Sequence, residues 1–354
     1  MSEALLGNSR LGSALERWRN AGMAASAAAG LVAGVTLAAG QATAAEKFIH
    51  AHPMTADHIF HPMSQKFMDK LKELLPGKFE VEYHPGGDLG DWTSLFEQVM
   101  RGTIPMSMTY GASEIDGRLD LSFLAFIVDT WAGAHKVFGP GGEMAKVFSD
   151  IYKERGMELI GIVPADFGGI AIRKGVGKVP TKFPADAKGI KMRVPPIPIG
   201  VKRFEAWGFS PVPMPFAELY TALQLGTVDA RSFGPPVEIW QMRDVIETYI
   251  WTRDYFEYGF WLANKKWWDK RSAEEQKAIR AAADVALQYS WQEGEAISKG
   301  FLEKVKGAGI KVVELNAEEL AAAKKIVYAT EWPFMEGKVG KPLIDRLREI
   351  AGAK

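Results

Sequence analysis

Gly189-Ile190-Lys191-Met192-Arg193-Val194-Pro195 opens a stretch that resumes at Pro213-Met214-Pro215-Phe216-Ala217-Glu218-Leu219-Tyr220 and runs through Thr221-Ala222-Leu223-Gln224-Leu225-Gly226-Thr227-Val228-Asp229-Ala230. The first part alternates. Ile190, Met192 and Val194 share one face of a strand, which leaves Lys191 and Arg193 on the other. Pro195-Pro196 ends that strand, and a helix is expected from about Pro198 to Trp207, closed by Gly208. Pro215–Leu225 reads as a second helix, with proline near its start and Gly226 just past its end. Val228–Ala230 is a short strand. Strand and helix alternate here, and that is an α/β pattern.

The same alternation runs upstream. Lys47–His52, Lys78–Tyr83 and Ile104–Tyr110 read as strands, separated by helices over Thr55–Leu75 and Asp91–Arg101. This predicts a parallel sheet with covering helices. Glu158–Val163 and Gly168–Arg173 are two further strands. The chain thus divides into two α/β units, roughly 46–168 and 169–255. Ser272–Lys306 differs, with Ile279, Ala283, Ala286, Ile297, Phe301 and Val305 on one stripe. As a single helix it would be about 50 Å long and could brace both units. Two helices broken near Gly294 or Gly300 are the other reading.

The N-terminus has its own character. Arg10, Arg17 and Arg19 precede a charge-free stretch from Ala21 to Gly40, which ends in Ala42-Thr43-Ala44. That order predicts a secretory signal peptide over residues 1–44, cleaved after Ala44, and therefore a periplasmic protein. An uncleaved anchor is the alternative, disfavoured by the abundance of Ala and Gly. No later segment is apolar for long enough to span a bilayer, so no membrane insertion of the mature chain is expected.

Composition narrows the chemistry. The 354 residues carry 43 basic and 43 acidic side chains, so no cationic surplus points to nucleic acid. Cleavage after Ala44 would leave 40 basic and 41 acidic residues, and a near-neutral soluble chain of this kind allows a monomer. There is no cysteine, which excludes disulfides, thiolate metal sites and thiol nucleophiles. Neither a nucleophile elbow nor a zincin motif is present. Gly175-Val176-Gly177-Lys178 fails as a phosphate loop because Ile172 and Val179 stand where glycine and a hydroxyl are required. His50, His52, His58 and His61 are four of six histidines, and their spacing could bind zinc. No carboxylate cluster accompanies them, so neither a metal nor another cofactor is expected.

The 189–230 stretch closely resembles the signature region of the TRAP-transporter solute-binding proteins, the DctP-type extracytoplasmic receptors for organic acids. Gly86–Met108 and the segment Lys266-Trp267-Trp268 to Gln276 are similar to further parts of that family. The resemblance implies an α/β two-domain periplasmic-binding-protein clamp with crossing strands. Lobe I would comprise 45–168 with about 256–290 returning to it, and lobe II 169–255 with about 300–354. The helix over 272–306 would span both. It also implies a small organic anion as ligand, membrane-embedded transporter subunits as partners, and no chemistry of its own. A sensory receptor, or an exported enzyme on the same architecture, remains the rival reading.

The family arginine falls on Arg193. The residues alone reach the same position, since Arg193 ends its strand where open α/β sheets place ligands. A guanidinium there can hold a carboxylate through two parallel hydrogen bonds. Arg173 and Glu114 match, by resemblance, other ligand-contacting positions, and Trp92, His52 and Phe167 stand at loops opening onto the expected cleft. One departure matters. Phe233 falls where the family pattern has an asparagine. That favours a carboxylate with a less polar or aromatic tail over a C4-dicarboxylate or a sugar acid.

Overall fold

The computed structural model describes residues 45–353, so the expected signal peptide, 1–44, lies outside the described residues. The chain begins β1 (Glu46–Ala51), α1 (Phe60–Leu74), β2 (Phe79–His84), α2 (Trp92–Arg101) and β3 (Met106–Thr109). A 3₁₀ turn (Gly117–Phe123), α3 (Trp131–Phe138) and α4 (Glu143–Glu154) lead into β4 (Met157–Phe167) and β5 (Ile170–Arg173). Next come β6 (Lys191–Val194), α5 (Pro198–Ala206), β7 (Ser210–Pro213), α6 (Phe216–Leu225), β8 (Ala230–Arg231) and α7 (Pro236–Gln241). Then β9 (Ile246–Trp251), β10 (Phe256–Asn264), α8 (Lys265–Asp269), α9 (Ala273–Gly307), β11 (Lys311–Glu314), α10 (Ala317–Val339) and α11 (Lys341–Ala351) complete it.

Two sheets result. One has the order β2-β1-β3-β10-β4 and the other β11-β9-β5-β8-β6-β7. The chain passes from the first to the second between β4 and β5, and returns between β9 and β10. These two passages are bound together: Gly168 N–H donates to Tyr255 O and Arg253 N–H to Gly168 O, both at 3.0 Å. The first sheet is not wholly parallel. β10 lies antiparallel between β3 and β4, and all nine of its residues are buried. A strand buried on both faces shows no alternation, which is why sequence periodicity did not mark it.

Other boundaries moved for local reasons. α1 starts at Phe60 instead of Thr55, because residues 52–59 satisfy their backbone in turns: His58 N–H donates to Thr55 O, and Gly86 N–H reaches Met54 O. That loop carries Pro53–Thr55 to the space between the sheets. β4 runs on through Pro164, opposite Tyr258, where a shift in register next to Tyr258 absorbs the absent N–H. α2 is capped as its sequence asks, with Asp91 accepting from Ser94 N–H and Gly102 left-handed at the end.

α9 is one helix of 35 residues, opened by a capping box from Ser272 and Glu275. Gly294 does not break it. A Cβ there would lie 2.5 Å from the Trp131 ring, so this glycine exists for close packing. The buried stripe follows Ile279, Ala283 and Ala286, then passes through Ser290, Gly294, Ser298 and Leu302 to Val305. Ser298 takes the inner position expected of Ile297 because its hydroxyl donates to the buried Asp166, 2.7 Å away. No helix among the described residues is long and apolar enough to cross a membrane.

Candidate functional site

A cleft of about 710 Å³ lies between the two sheets. One wall carries Pro53–Thr55, Trp92 and Glu114; the other carries Arg193, Phe216, Arg231 and Glu238, with Tyr255 and Glu257 of the returning passage between them. This is where β6 and β8, both parallel, end. In an open α/β sheet the strand ends leave a crevice that helices and loops line.

Arg193 is 2% exposed. Its Nε donates to Met214 O at 2.9 Å, while Nη2 has no partner among the described residues. Burial, and secondly the neighbouring Arg231, push its pKa down to about 9, with Glu238 opposing them. It therefore remains a cation at neutral pH, held out of water with donors unused. Arg231 stands directly beside it, since Arg193 and Arg231 are register partners on β6 and β8. Both guanidinium groups lie over the Phe216 ring, at 5.8 and 5.9 Å from its centroid. Arg231 donates through Nη2 to Glu238 of α7, and its Nε is unpartnered among the described residues. A Cβ on Gly234 would come within 2.9 Å of that Nε, so glycine there makes room for the guanidinium. Of the two buried cations only Arg231 is paired with a carboxylate.

Glu257 of β10 closes the floor. Tyr110 OH donates to its Oε1, and Oε2 is unpartnered among the described residues. Burial, and then Glu238, raise this carboxyl well above the ordinary range, which favours its protonated form.

Four of the expected residues line the cleft: Arg193, Phe233, Glu114 and Trp92. The Trp92 ring meets Tyr110 edge-on at 5.4 Å. Phe233 touches the cleft with only a small part of its surface. It is 5% exposed, its φ is 56°, and its ring packs on Phe204 and Tyr255 beneath the Arg203 guanidinium.

Three expected residues stand outside the cleft lining. Arg173 ends β5, which runs antiparallel to β8, so it lies at the opposite end of the sheet from Arg193 and Arg231. There its Nε and Nη1 donate to Val228 O and Lys174 O. Phe167 is 1% exposed and packs on Phe256. His52 is buried, with Nε2 bonded to Tyr83 OH at 2.7 Å; His61 Nδ1 meets the same hydroxyl at 2.9 Å. The histidine cluster is a packing network behind the Pro53–Thr55 loop. Burial pushes His50, His52 and His58 down to about 3, so all three are neutral. Among the described residues no group of three His, Asp or Glu is placed to hold a metal.

Arg231, Glu238 and Glu257 were not singled out from the sequence. A usable signal existed for Arg231. If 228–231 pairs in parallel with 190–194, strand alternation puts Arg231 on the face of Arg193.

Two α/β lobes joined by paired passages, braced by one long helix and facing each other across a cleft with charged groups set among aromatic ones, define a two-lobe binding clamp. Residues 50–332 match the model of the bacterial extracellular solute-binding protein family 7, DctP. The chain belongs to this family, the DctP-type extracytoplasmic solute-binding proteins of TRAP transporters. It is 26% identical over 300 residues to the 2,3-diketo-L-gulonate-binding periplasmic protein YiaO of Escherichia coli K12, covering 80% of this chain and 85% of that one. It is 25% identical over 278 residues to the ectoine-binding periplasmic protein TeaA of Halomonas elongata, covering 76% and 80%. The fold matches that of the sugar acid binding protein DctPAm of Advenella mimigardefordensis with a TM-score of 0.80, 22% identity, and 87% and 98% of the two chains covered. These relatives are binding proteins, not enzymes.

Proposed function

We propose that this protein is the periplasmic receptor of a TRAP transporter and captures a small organic anion in the interlobe cleft, with Arg193 holding its carboxylate. The observation that carries this reading is the Arg193 side chain. A fully buried cation with an unused donor, at a strand end lining a cleft, is costly unless an anion completes it. The names of the relatives agree in kind: one binds 2,3-diketo-L-gulonate, another was crystallised with galactonate. The leader-like residues 1–44 support export. Trp92, Phe123, Phe216 and Tyr255 on the lining favour a ligand with one anionic end and a less polar remainder. Contacts with both lobes favour the closed form, which the membrane subunits then read.

The test begins with mass spectrometry of whatever ligand is released on denaturing freshly purified protein. Calorimetry with that ligand should show at least a 30-fold loss for Arg193→Ala, since losing a buried charge-assisted pair costs about 2–5 kcal/mol. Arg193→Lys should rescue little, because a point charge cannot replace the fork. Binding by Arg193→Ala within about threefold of wild type would remove Arg193 from the site.

A further inference from the structure

We infer that Glu238 sets the charge of the ligand: by neutralising Arg231 it leaves one uncompensated guanidinium, so the cleft accepts a single negative charge and turns dianions away. This rests on the reading of the cleft as an organic-anion site.

The argument is one of counting charges in a confined space. The cleft lining contains two cationic side chains, Arg193 and Arg231, and five acidic ones, Asp91, Glu97, Glu114, Glu238 and Glu257. Glu257 is 3% exposed, takes one hydrogen bond from Tyr110 and has no cation bonded to it among the described residues, and burial raises its pKa, which together favour its neutral form. Glu238 is 4% exposed and bonded to Arg231, so that pair contributes no net charge. What remains beside the strand ends is Arg193. The facing wall of lobe I offers Asp91 and Glu114, with Glu97 paired to Arg101 outside the lining, and no basic side chain on the lining itself. A ligand carboxylate in the cleft beside Arg193 and Arg231, each of which keeps a donor without a partner among the described residues, meets one net positive charge. A second carboxylate on the same ligand would meet no cation on the facing wall, only carboxylates, aromatic rings and the neutral hydroxyls of Thr55, Thr93 and Ser94, in surroundings that screen poorly.

The position of Glu238 makes it a fixed determinant. It lies in the first turn of α7, between Val237 and Ile239, both buried. It cannot swing to water without unpacking that helix. Glu238→Gln should therefore raise the positive charge of the cradle by one while keeping its shape.

The experiment measures Kd by calorimetry for matched acids: lactate against malate, pyruvate against oxaloacetate, and 3-phenylpropionate against phenylsuccinate. Wild type should bind at least one monocarboxylate and prefer it to its dicarboxylate by about 30-fold or more. Glu238→Gln should reduce that preference at least tenfold, and Glu238→Asp, which keeps the charge, should retain it. A merely structural role would weaken both members of a pair alike and leave their ratio unmoved. Should Glu238→Gln not fold, a second route remains. Arg231→Met should lose monocarboxylate binding, and the double variant Arg231→Met/Glu238→Gln, whose net charge equals wild type, should recover it together with the preference. A wild-type preference for the dicarboxylate, a ratio within threefold of wild type in Glu238→Gln, or no recovery in the double variant overturns the inference and leaves the receptor reading intact. If no acid of either kind binds wild type, the organic-anion reading itself fails, and this inference with it.

Discussion

Arg193 and Arg203 lie ten residues apart in the sequence, both end up buried, and the clusters around them are built on opposite principles. Arg203, on α5, donates through Nη1 to Asp254 at 2.8 Å and through Nε to Glu331 at 2.6 Å, and it also reaches Phe123 O. Glu331 accepts in addition from Ala125 N–H at 2.7 Å. No side-chain atom of Arg203, Asp254 or Glu331 lacks a partner among the described residues. That cluster ties α5, α10, the β9–β10 passage and the loop after Phe123 into one joint. Around Arg193 two cations stand beside one carboxylate, which pairs with Arg231 alone, and two donors go unused. Complete partnering around Arg203 fits an architectural joint, and the unused donors on the cleft lining at Arg193 support the ligand site proposed there. The two are adjacent, because the Arg203 guanidinium lies 4.8 Å above the Phe233 ring that forms part of the cleft wall.

The comparison can be broken most directly at Arg203. Arg203→Met leaves two buried carboxyl groups without their cation, which should cost about 3–5 kcal/mol. For a chain of this size that is a fall in Tm of roughly 10 °C, read by thermal or urea denaturation. A shift below about 2 °C would mean the joint is not what holds the lobes in register.

Asp166 sharpens the contrast, since it is buried with neutral partners. Its Oδ1 accepts from Ser298 Oγ and Phe167 N–H, and burial raises its pKa to about 7. A carboxyl raised in the folded state binds its proton more tightly there than in the unfolded chain. Its contribution is therefore full below about pH 4 and is lost as pH rises to about 7, a loss of about 4 kcal/mol. Asp166→Asn keeps both hydrogen bonds and does not titrate. Its stability relative to wild type should climb between pH 4 and 7. His50, His52 and His58, pushed down to about 3, act oppositely, costing stability as pH falls below about 6.5, but they cancel in this difference. A difference that is flat with pH would show that neutral partners suffice to hold the ionised carboxylate.

The smallest expected effect is at the cleft. Arg193→Met, assayed without ligand, should leave Tm unchanged or raise it, by about 1 kcal/mol or less in stability, since an apolar side chain replaces an incompletely paired cation. A loss as large as that of Arg203→Met would make Arg193 part of the architecture and erase the distinction between the two clusters.

How much of this was legible in the chain depends on the range of the interaction. Asp91 and Gly102 bounded α2 because caps are local. The stripe from Ile279 to Val305 gave α9, although Gly294 looked like a break until Trp131 was seen packed on it. The place of Arg193 on the cleft lining was legible because its own strand, and the prolines after it, set it at a crevice. Arg173 was misplaced because strand direction is not written locally: β5 runs antiparallel to β8, which carries its end away from the cleft. His52 and Phe167 were misplaced for a related reason. A residue beside a loop can turn inward, and both did.

By itself, the sequence determined the alternating elements, the caps, the long brace and the strand-end arginine, all set by interactions within a few turns or one strand. Only the tertiary structure decided which buried charges are balanced. Arg231, Glu238 and Glu257 read as ordinary polar residues in the chain. Their roles come from strands and a helix meeting across a poorly hydrated cleft, where an ion's energy depends on the neighbours that folding places beside it.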